Sequence, residues 1–144
     1  MPGASDAWQQ IAAPKRAPKL ELHLWSGYAE LAAWPALNAL PFASKGHPPG
    51  LDVDVFVSAS SSGAYQTLVT DSVLLRGTII AELSHDHAAP SARGYVMQKG
   101  SDDLWSYAEL DGRGMVLAEG ALAACEGCHA LAPSDHVFGL PRAP

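Results

Sequence analysis

The sequence predicts an α+β domain, an antiparallel β-sheet with helices at both ends. Three observations carry this. Leu51-Asp52-Val53-Asp54-Val55-Phe56-Val57 puts Leu51, Val53, Val55 and Val57 on one side of an extended chain, the period of a half-buried strand. Further strand-like stretches follow in succession, punctuated by Gly, Asp and Ser clusters. Helical spacing is confined to the flanks, which suits an antiparallel sheet better than alternating βα units.

Residues 1–19 are rich in Ala, Pro and Lys and are expected to form a flexible arm; residues 20–144 form one domain. Leu20, Leu24, Tyr28 and Leu31 have helical spacing, and Pro35 limits that helix. Residues 38–50 hold three prolines and two glycines and read as loop. After the Leu51–Val57 strand, Ser58 to Ser62 can open a helix that runs to Leu68. Val73–Leu83 reads as the second strand and His85–Pro90 as a loop. Gly94–Lys99 and Leu104–Leu110 are the third and fourth strands, joined by Gly100-Ser101-Asp102-Asp103. Asp111-Gly112-Arg113-Gly114 is a turn beside strand-like Met115-Val116-Leu117. Ala118–Ala124 reads as a short alanine-rich helix, and the chain ends in an irregular tail.

Composition narrows the function classes. A chain of 144 residues with 48% hydrophobic and 17% charged residues suits one globular domain. The formal net charge of −6 argues against nucleic acid and anionic membrane as partners. No stretch approaches the roughly 20 apolar residues of a membrane span.

Chemistry concentrates in Cys125-Glu126-Gly127-Cys128-His129, which uses both cysteines of the chain. This is the pattern for covalent attachment of one c-type haem. Two thiols on one helical turn add across the two porphyrin vinyl groups, and the adjacent His129 becomes the proximal iron ligand. Other readings of the pair are half of a zinc site, a thioredoxin-type redox pair and a disulfide. A zinc site would need His129 and His136 as a second pair, and joint coordination by neighbouring Cys128 and His129 is awkward. A redox pair expects a preceding strand in a βαβ setting. The start, Met1-Pro2-Gly3-Ala4-Ser5-Asp6, lacks a basic and apolar leader. Because thiol-to-vinyl attachment normally takes place outside the bacterial cytoplasm, the expected location is periplasmic or secreted, with a leader already removed.

Several segments together resemble the cytochrome P-460 family, which includes cytochrome c′-beta. Gly77-Thr78-Ile79-Ile80-Ala81-Glu82-Leu83 is similar to that family's Gly-Thr strand, which ends in Lys-Glu. Tyr95-Val96-Met97-Gln98-Lys99 is similar to its Val-Met-x-Lys strand, and Trp105-Ser106-Tyr107 to its Trp-x-Tyr strand. Ala118-Glu119-Gly120 resembles its approach to the haem motif, and Asp135-His136-Val137-Phe138 its closing Asp-x-Val-Phe. The likeness runs from about residue 28 to residue 138. It implies a mostly antiparallel sheet carrying a haem motif near the C-terminus, a five-coordinate haem with an open distal side, and a homodimer. Cytochrome P-460 proper oxidises hydroxylamine, and its haem is cross-linked to a lysine. Cytochrome c′-beta lacks that activity and binds nitric oxide and carbon monoxide.

One position departs from the enzyme pattern. Aligning Glu82 with the family glutamate puts Ala81 where the cross-linking lysine stands. Alternation places Ile79, Ala81 and Leu83 on one face of the strand and Thr78, Ile80 and Glu82 on the other. The first of these faces is expected to meet the haem as an apolar wall. Phe42, Phe56, Tyr65 and Trp105 are candidate walls too. Phe56 stands out because it points away from the valines of its strand, toward a pocket, a second core or a dimer surface. An open iron in such a pocket favours neutral diatomic gases, with no base to take a substrate's proton.

Met97 and Met115 are candidate sixth ligands, although a methionine in a strand is more often core. His47, His85, His87 and His136 read as solvent-facing. Glu119 reads as a charge at the start of the haem helix. Arg142 could pair with a haem propionate. The expectation is a mono-haem cytochrome binding nitric oxide or carbon monoxide, with a redox partner. Its rivals are a hydroxylamine-oxidising enzyme and a six-coordinate electron carrier.

Overall fold

The structure, a computed structural model, describes residues 22–47 and 50–141. The expected N-terminal arm, the start of the first expected helix and Arg142 lie outside them. Six strands form one antiparallel sheet in the order β1-β2-β3-β4-β5-β6, each pairing with its neighbours in sequence. They are β1 (Phe42–Ala43), β2 (Asp52–Val57), β3 (Ile79–Ser84), β4 (Arg93–Lys99), β5 (Trp105–Asp111) and β6 (Val116–Gly120). Among the described residues the helices are α1 (Tyr28–Leu31), α2 (Ala59–Gln66) and α3 (Ala123–His129). The α+β class holds, with two helices outside the sheet sequence and α2 inserted between β2 and β3.

The first expected helix is shorter than its spacing suggested. Before α1 the chain is extended, with Leu24 bridged to Met115 and the Trp25 amide donating to the Gly114 carbonyl. Those bonds satisfy the backbone in a non-helical conformation, so tertiary pairing overrides local preference. The strand expected from Val73 begins only at Ile79. A turn comes first, closed by the Thr78 amide on the Leu75 carbonyl, with Gly77 at φ 83°. The expected helix over Ala118–Ala124 is also corrected. Residues 118–120 are the end of β6, and α3 begins at Ala123. Glu119 is therefore a strand residue, bonded to His23 at 3.0 Å, rather than a helix-start charge.

Register decides which side chains share a face. Val55 pairs with Glu82, Glu82 with Tyr95 and Tyr95 with Glu109. The next row is Val57, Ile80, Met97 and Tyr107. This face packs with Tyr65, Leu74, Trp105 and Val137, and the half-buried Leu122 and Cys125 lie against it. The other face carries Ala81, Leu83, Val96, Ala108 and Leu110 under Trp25 and Leu31, with Phe56 and Ile79 at its margin. Each buried Val or Leu side chain contributes about 1.5–3 kcal/mol relative to exposure, and both faces are lined with them. The sheet thus separates two cores, and α3 belongs to only one.

Candidate functional site

Strand β6 delivers the chain to α3 through Gly120, whose φ of 120° suits glycine alone. Leu122 precedes the helix and, like Cys125, packs on the Tyr107 face of the sheet. Cys125 and Cys128, one helical turn apart, are both free thiols, so the disulfide reading is not realised. Cys125 is half-buried and Cys128 exposed. Burial, with the nearby Glu109 carboxylate and Cys128, pushes the Cys125 thiol up. A redox-active cysteine needs the opposite shift. The strand before α3 is antiparallel to its neighbour, unlike the βαβ setting of a redox pair.

His129 closes the helix. Its Nδ1 donates to the His136 carbonyl at 2.7 Å. A carbonyl can only accept, so Nδ1 carries a proton, and in the neutral ring that tautomer leaves the lone pair on Nε2. The ring lies 5.6 Å from Tyr107, 5.4 Å from Phe138 and 6.3 Å from His47, between centroids. A second polar chain runs beside it. The Tyr107 hydroxyl donates to Glu126 Oε2 at 2.6 Å, and His136 Nε2 meets Glu126 Oε1 at 2.9 Å. Tyr107 holds the Glu126 carboxyl below its usual range, with help from His136. Burial and the Glu126 contact push the Tyr107 hydroxyl well up, so it stays a donor.

On the same sheet face stands a polar group that the sequence did not suggest. Glu82 Oε2 accepts from the Ser44 hydroxyl at 2.5 Å and lies 3.1 Å from His47 Nδ1. His47 stacks on Tyr95, with 4.0 Å between centroids and 11° between planes. Burial works to raise the Glu82 carboxyl, but the His47 and Ser44 hydrogen bonds outweigh it and hold the group below the usual carboxylate range. The expectation of a solvent-facing His47 is therefore corrected. It is half-buried and faces the motif. His136 is half-buried too, whereas His85 and His87 are exposed.

Two further expectations change. Ala81 and Phe56, a register pair, belong to the core under Trp25 and Leu31, across the sheet from Cys125 and His129. The apolar face was expected to meet the motif; instead the face carrying Glu82 does. Phe42, Tyr65 and Trp105 lie on the motif's side, but Phe56 does not. Met97 is core there, between Ile80 and Tyr107 in register, and Met115 pairs with Leu24. Among the described residues no group of three or more His, Cys, Asp or Glu side chains could hold a metal ion by itself, and no helix is long and apolar enough to cross a membrane.

The alternation of β3 assigned Glu82 its own face correctly. Pairing Val55 with Glu82 and bringing Cys125 to that side is a long-range choice that no local pattern carries. His47 had no signal beyond a histidine in a glycine-flanked loop. No protein-family model matches the chain, and neither a curated protein nor a solved structure resembles it closely enough to count.

Proposed function

We propose that the chain is a mono-haem c-type cytochrome of the cytochrome P-460 kind, closer to cytochrome c′-beta, that binds nitric oxide or carbon monoxide at the iron position opposite His129. The observation that carries this reading is His129, one residue after Cys128, whose Nδ1 proton is fixed on the His136 carbonyl, the tautomer that presents the Nε2 lone pair to a metal. Metal-bound histidines characteristically have their second nitrogen tied down in this way.

The donor set fits the group. Cys125 and Cys128 would hold the porphyrin through two thioethers, and His129 Nε2 would hold the iron. Phe138 and Tyr107 pack around the His129 ring and limit its rotation. Bound there, haem supplies reversible ligand binding and one-electron chemistry at iron. The protein's part is to orient the imidazole, shield the proximal side and set the polarity opposite. A periplasmic or secreted setting, a redox partner and a homodimer belong to the same proposal.

A second reading, an oxidoreductase acting on hydroxylamine or a related nitrogen compound, is favoured by Glu82. An ionised carboxylate on the motif's face is a proton acceptor that the expected apolar wall lacked.

The test is expression with a c-type maturation system, then acid–acetone extraction and a ferrous spectrum with and without carbon monoxide. Haem retained on the polypeptide and a carbon monoxide-induced Soret shift support the proposal. Extractable haem, or a spectrum indifferent to carbon monoxide, sinks it.

A further inference from the structure

We propose that Glu126, at a position the haem-attachment pattern leaves free, is a positioning residue. It fixes the His129 imidazole by gripping His136, the same residue that His129 binds. The inference rests on haem attachment at Cys125 and Cys128, and it adds what holds the proximal ligand in one orientation.

Three observations carry it. The first is a closed ring of bonds. Glu126 and His129 stand three residues apart on α3, so their side chains leave one face of the helix. Both end on residue 136. His129 Nδ1 donates to the main-chain carbonyl of His136 at 2.7 Å, and the His136 ring donates through Nε2 to Glu126 Oε1 at 2.9 Å. A carboxylate only accepts, so the second bond has the same direction whether the His136 ring is neutral or charged. One turn of one helix thereby holds residue 136 at two points, backbone and ring.

The second is an anchor to the sheet. Glu126 Oε2 accepts from the hydroxyl of Tyr107 at 2.6 Å, and Tyr107 is buried in the core on the motif's side. The clamp is therefore tied to β5. The neighbouring residue has no such role: a Cβ placed on Gly127 would meet nothing within 4 Å. Of the two residues between the cysteines, one binds the sheet and the other faces open space.

The third is the conformation that needs holding. His136 has φ 63°, which carries a cost for any residue but glycine. Relaxing it would turn its carbonyl away from His129. The Glu126 and His136 side chains are 45% and 36% exposed, so their pairing adds little to stability. What it fixes is a direction.

A fixed acceptor on the second ring nitrogen raises the basicity of a ligating histidine and sets its orientation. With the clamp closed, His129 offers Nε2 in one orientation. With it open, the Nδ1 bond weakens and the imidazole becomes a poorer and less uniform donor.

The test uses the haem-loaded protein. It reads the iron–histidine stretching band by resonance Raman after photolysis of the carbon monoxide adduct, and the reduction potential beside it. The wild type should give one narrow band. Glu126→Ala should move the band to lower wavenumber, broaden it and raise the potential, because a weaker axial donor favours ferrous iron. His136→Gly keeps the carbonyl and suits the left-handed backbone but removes the ring, so it should shift the band in the same way. The double variant should shift it no further than either single change, because the two residues are ends of one link. Tyr107→Phe, which frees the pair from the sheet, should broaden the band. An unchanged band in Glu126→Ala or in His136→Gly, or shifts that add in the double variant, overturns the proposal. If Glu126→Ala does not load haem, the band of His136→Gly decides alone. Haem lost from the wild type on acid–acetone extraction is a separate outcome that removes the attachment reading and this one with it.

Discussion

His129 and His136 are joined by a 2.7 Å hydrogen bond from ring nitrogen to main-chain carbonyl, and the backbone is bent to make it. Asp135 and His136 both adopt left-handed conformations, at φ 47° and 63°. Neither is glycine, so the conformation carries a cost that surrounding contacts must offset. Asp135 supplies them. Its Oδ2 accepts from the Leu74 amide at 2.8 Å and from Lys99 Nζ at 2.7 Å, and Oδ1 from Trp105 Nε1 at 3.3 Å.

Asp135→Ala should therefore be among the most destabilising single changes. It removes three acceptor contacts and leaves the Lys99 ammonium, 3% exposed, with the Leu74 carbonyl and the face of the Trp105 ring but no counter-charge. Removing one partner of a buried pair costs about 3–5 kcal/mol. Denaturant unfolding should show a loss of that size. A loss under about 1 kcal/mol would mean that the network does not hold the His136 turn.

The same carboxylate gives an acid-dependent term. Burial acts to raise Asp135, but the hydrogen bonds from Lys99, Leu74 and Trp105 outweigh it and depress its folded-state value. The unfolded chain binds that proton more readily, so the stabilisation is complete above the ordinary carboxylate range, about pH 4, and disappears as pH falls through the lowered folded value. Stability measured from pH 6 downward should fall less steeply in Asp135→Asn than in the wild type. Parallel acid limbs for the two proteins would contradict this.

Much of the sheet was legible because its signals are local. Alternation in Asp52–Val57 and the turns at 100–103 and 111–114 are fixed by neighbouring residues. In the candidate site, Cys125, Cys128 and His129 are the part that local spacing singles out. Ala81 and Glu82 show why the rest was not legible. They are adjacent and lie on opposite faces, so choosing the face that meets α3 decides between an alanine and a carboxylate. That choice is made by β6, Gly120 and Leu122 delivering the helix to the Tyr107 side, a consequence of chain path rather than of any strand's pattern.

The two cysteines sit in different surroundings, half-buried and exposed, yet each should form one thioether. Cys125→Ala and Cys128→Ala should each retain haem through one bond, with the shifted pyridine haemochrome of a porphyrin that keeps one free vinyl group. Intact mass should report one haem in either variant, and the double variant should release it to acid–acetone. Because Cys125 packs against the core, Cys125→Ala should also lower the melting temperature of haem-free protein more than Cys128→Ala does. Equal melting temperatures would remove Cys125 from the core.

No lysine cross-link to the porphyrin should form, and the structure changes the reason. Lys99 projects on the motif's side of the sheet, but its ammonium is committed to Asp135 and the Leu74 carbonyl. Intact mass should equal apoprotein plus one haem, with peptide mapping finding no lysine joined to it. The decisive variant is Ala81→Lys, which restores the residue type that the resemblance puts at this position. Ala81 is 0% exposed in the core under Trp25 and Leu31, on the face away from Cys125. A lysine there adds four methylenes to a filled core and buries an unpaired charge, so Ala81→Lys should lose about 3 kcal/mol or more, measured by denaturant unfolding. Its amine has no path through the sheet, so peroxide treatment of the haem-loaded variant should leave an ordinary c-type spectrum. A red-shifted Soret band and a lysine–porphyrin peptide would show instead that residue 81 reaches the haem, which would require β3 to slip by one position against β2 and β4 and exchange its two faces.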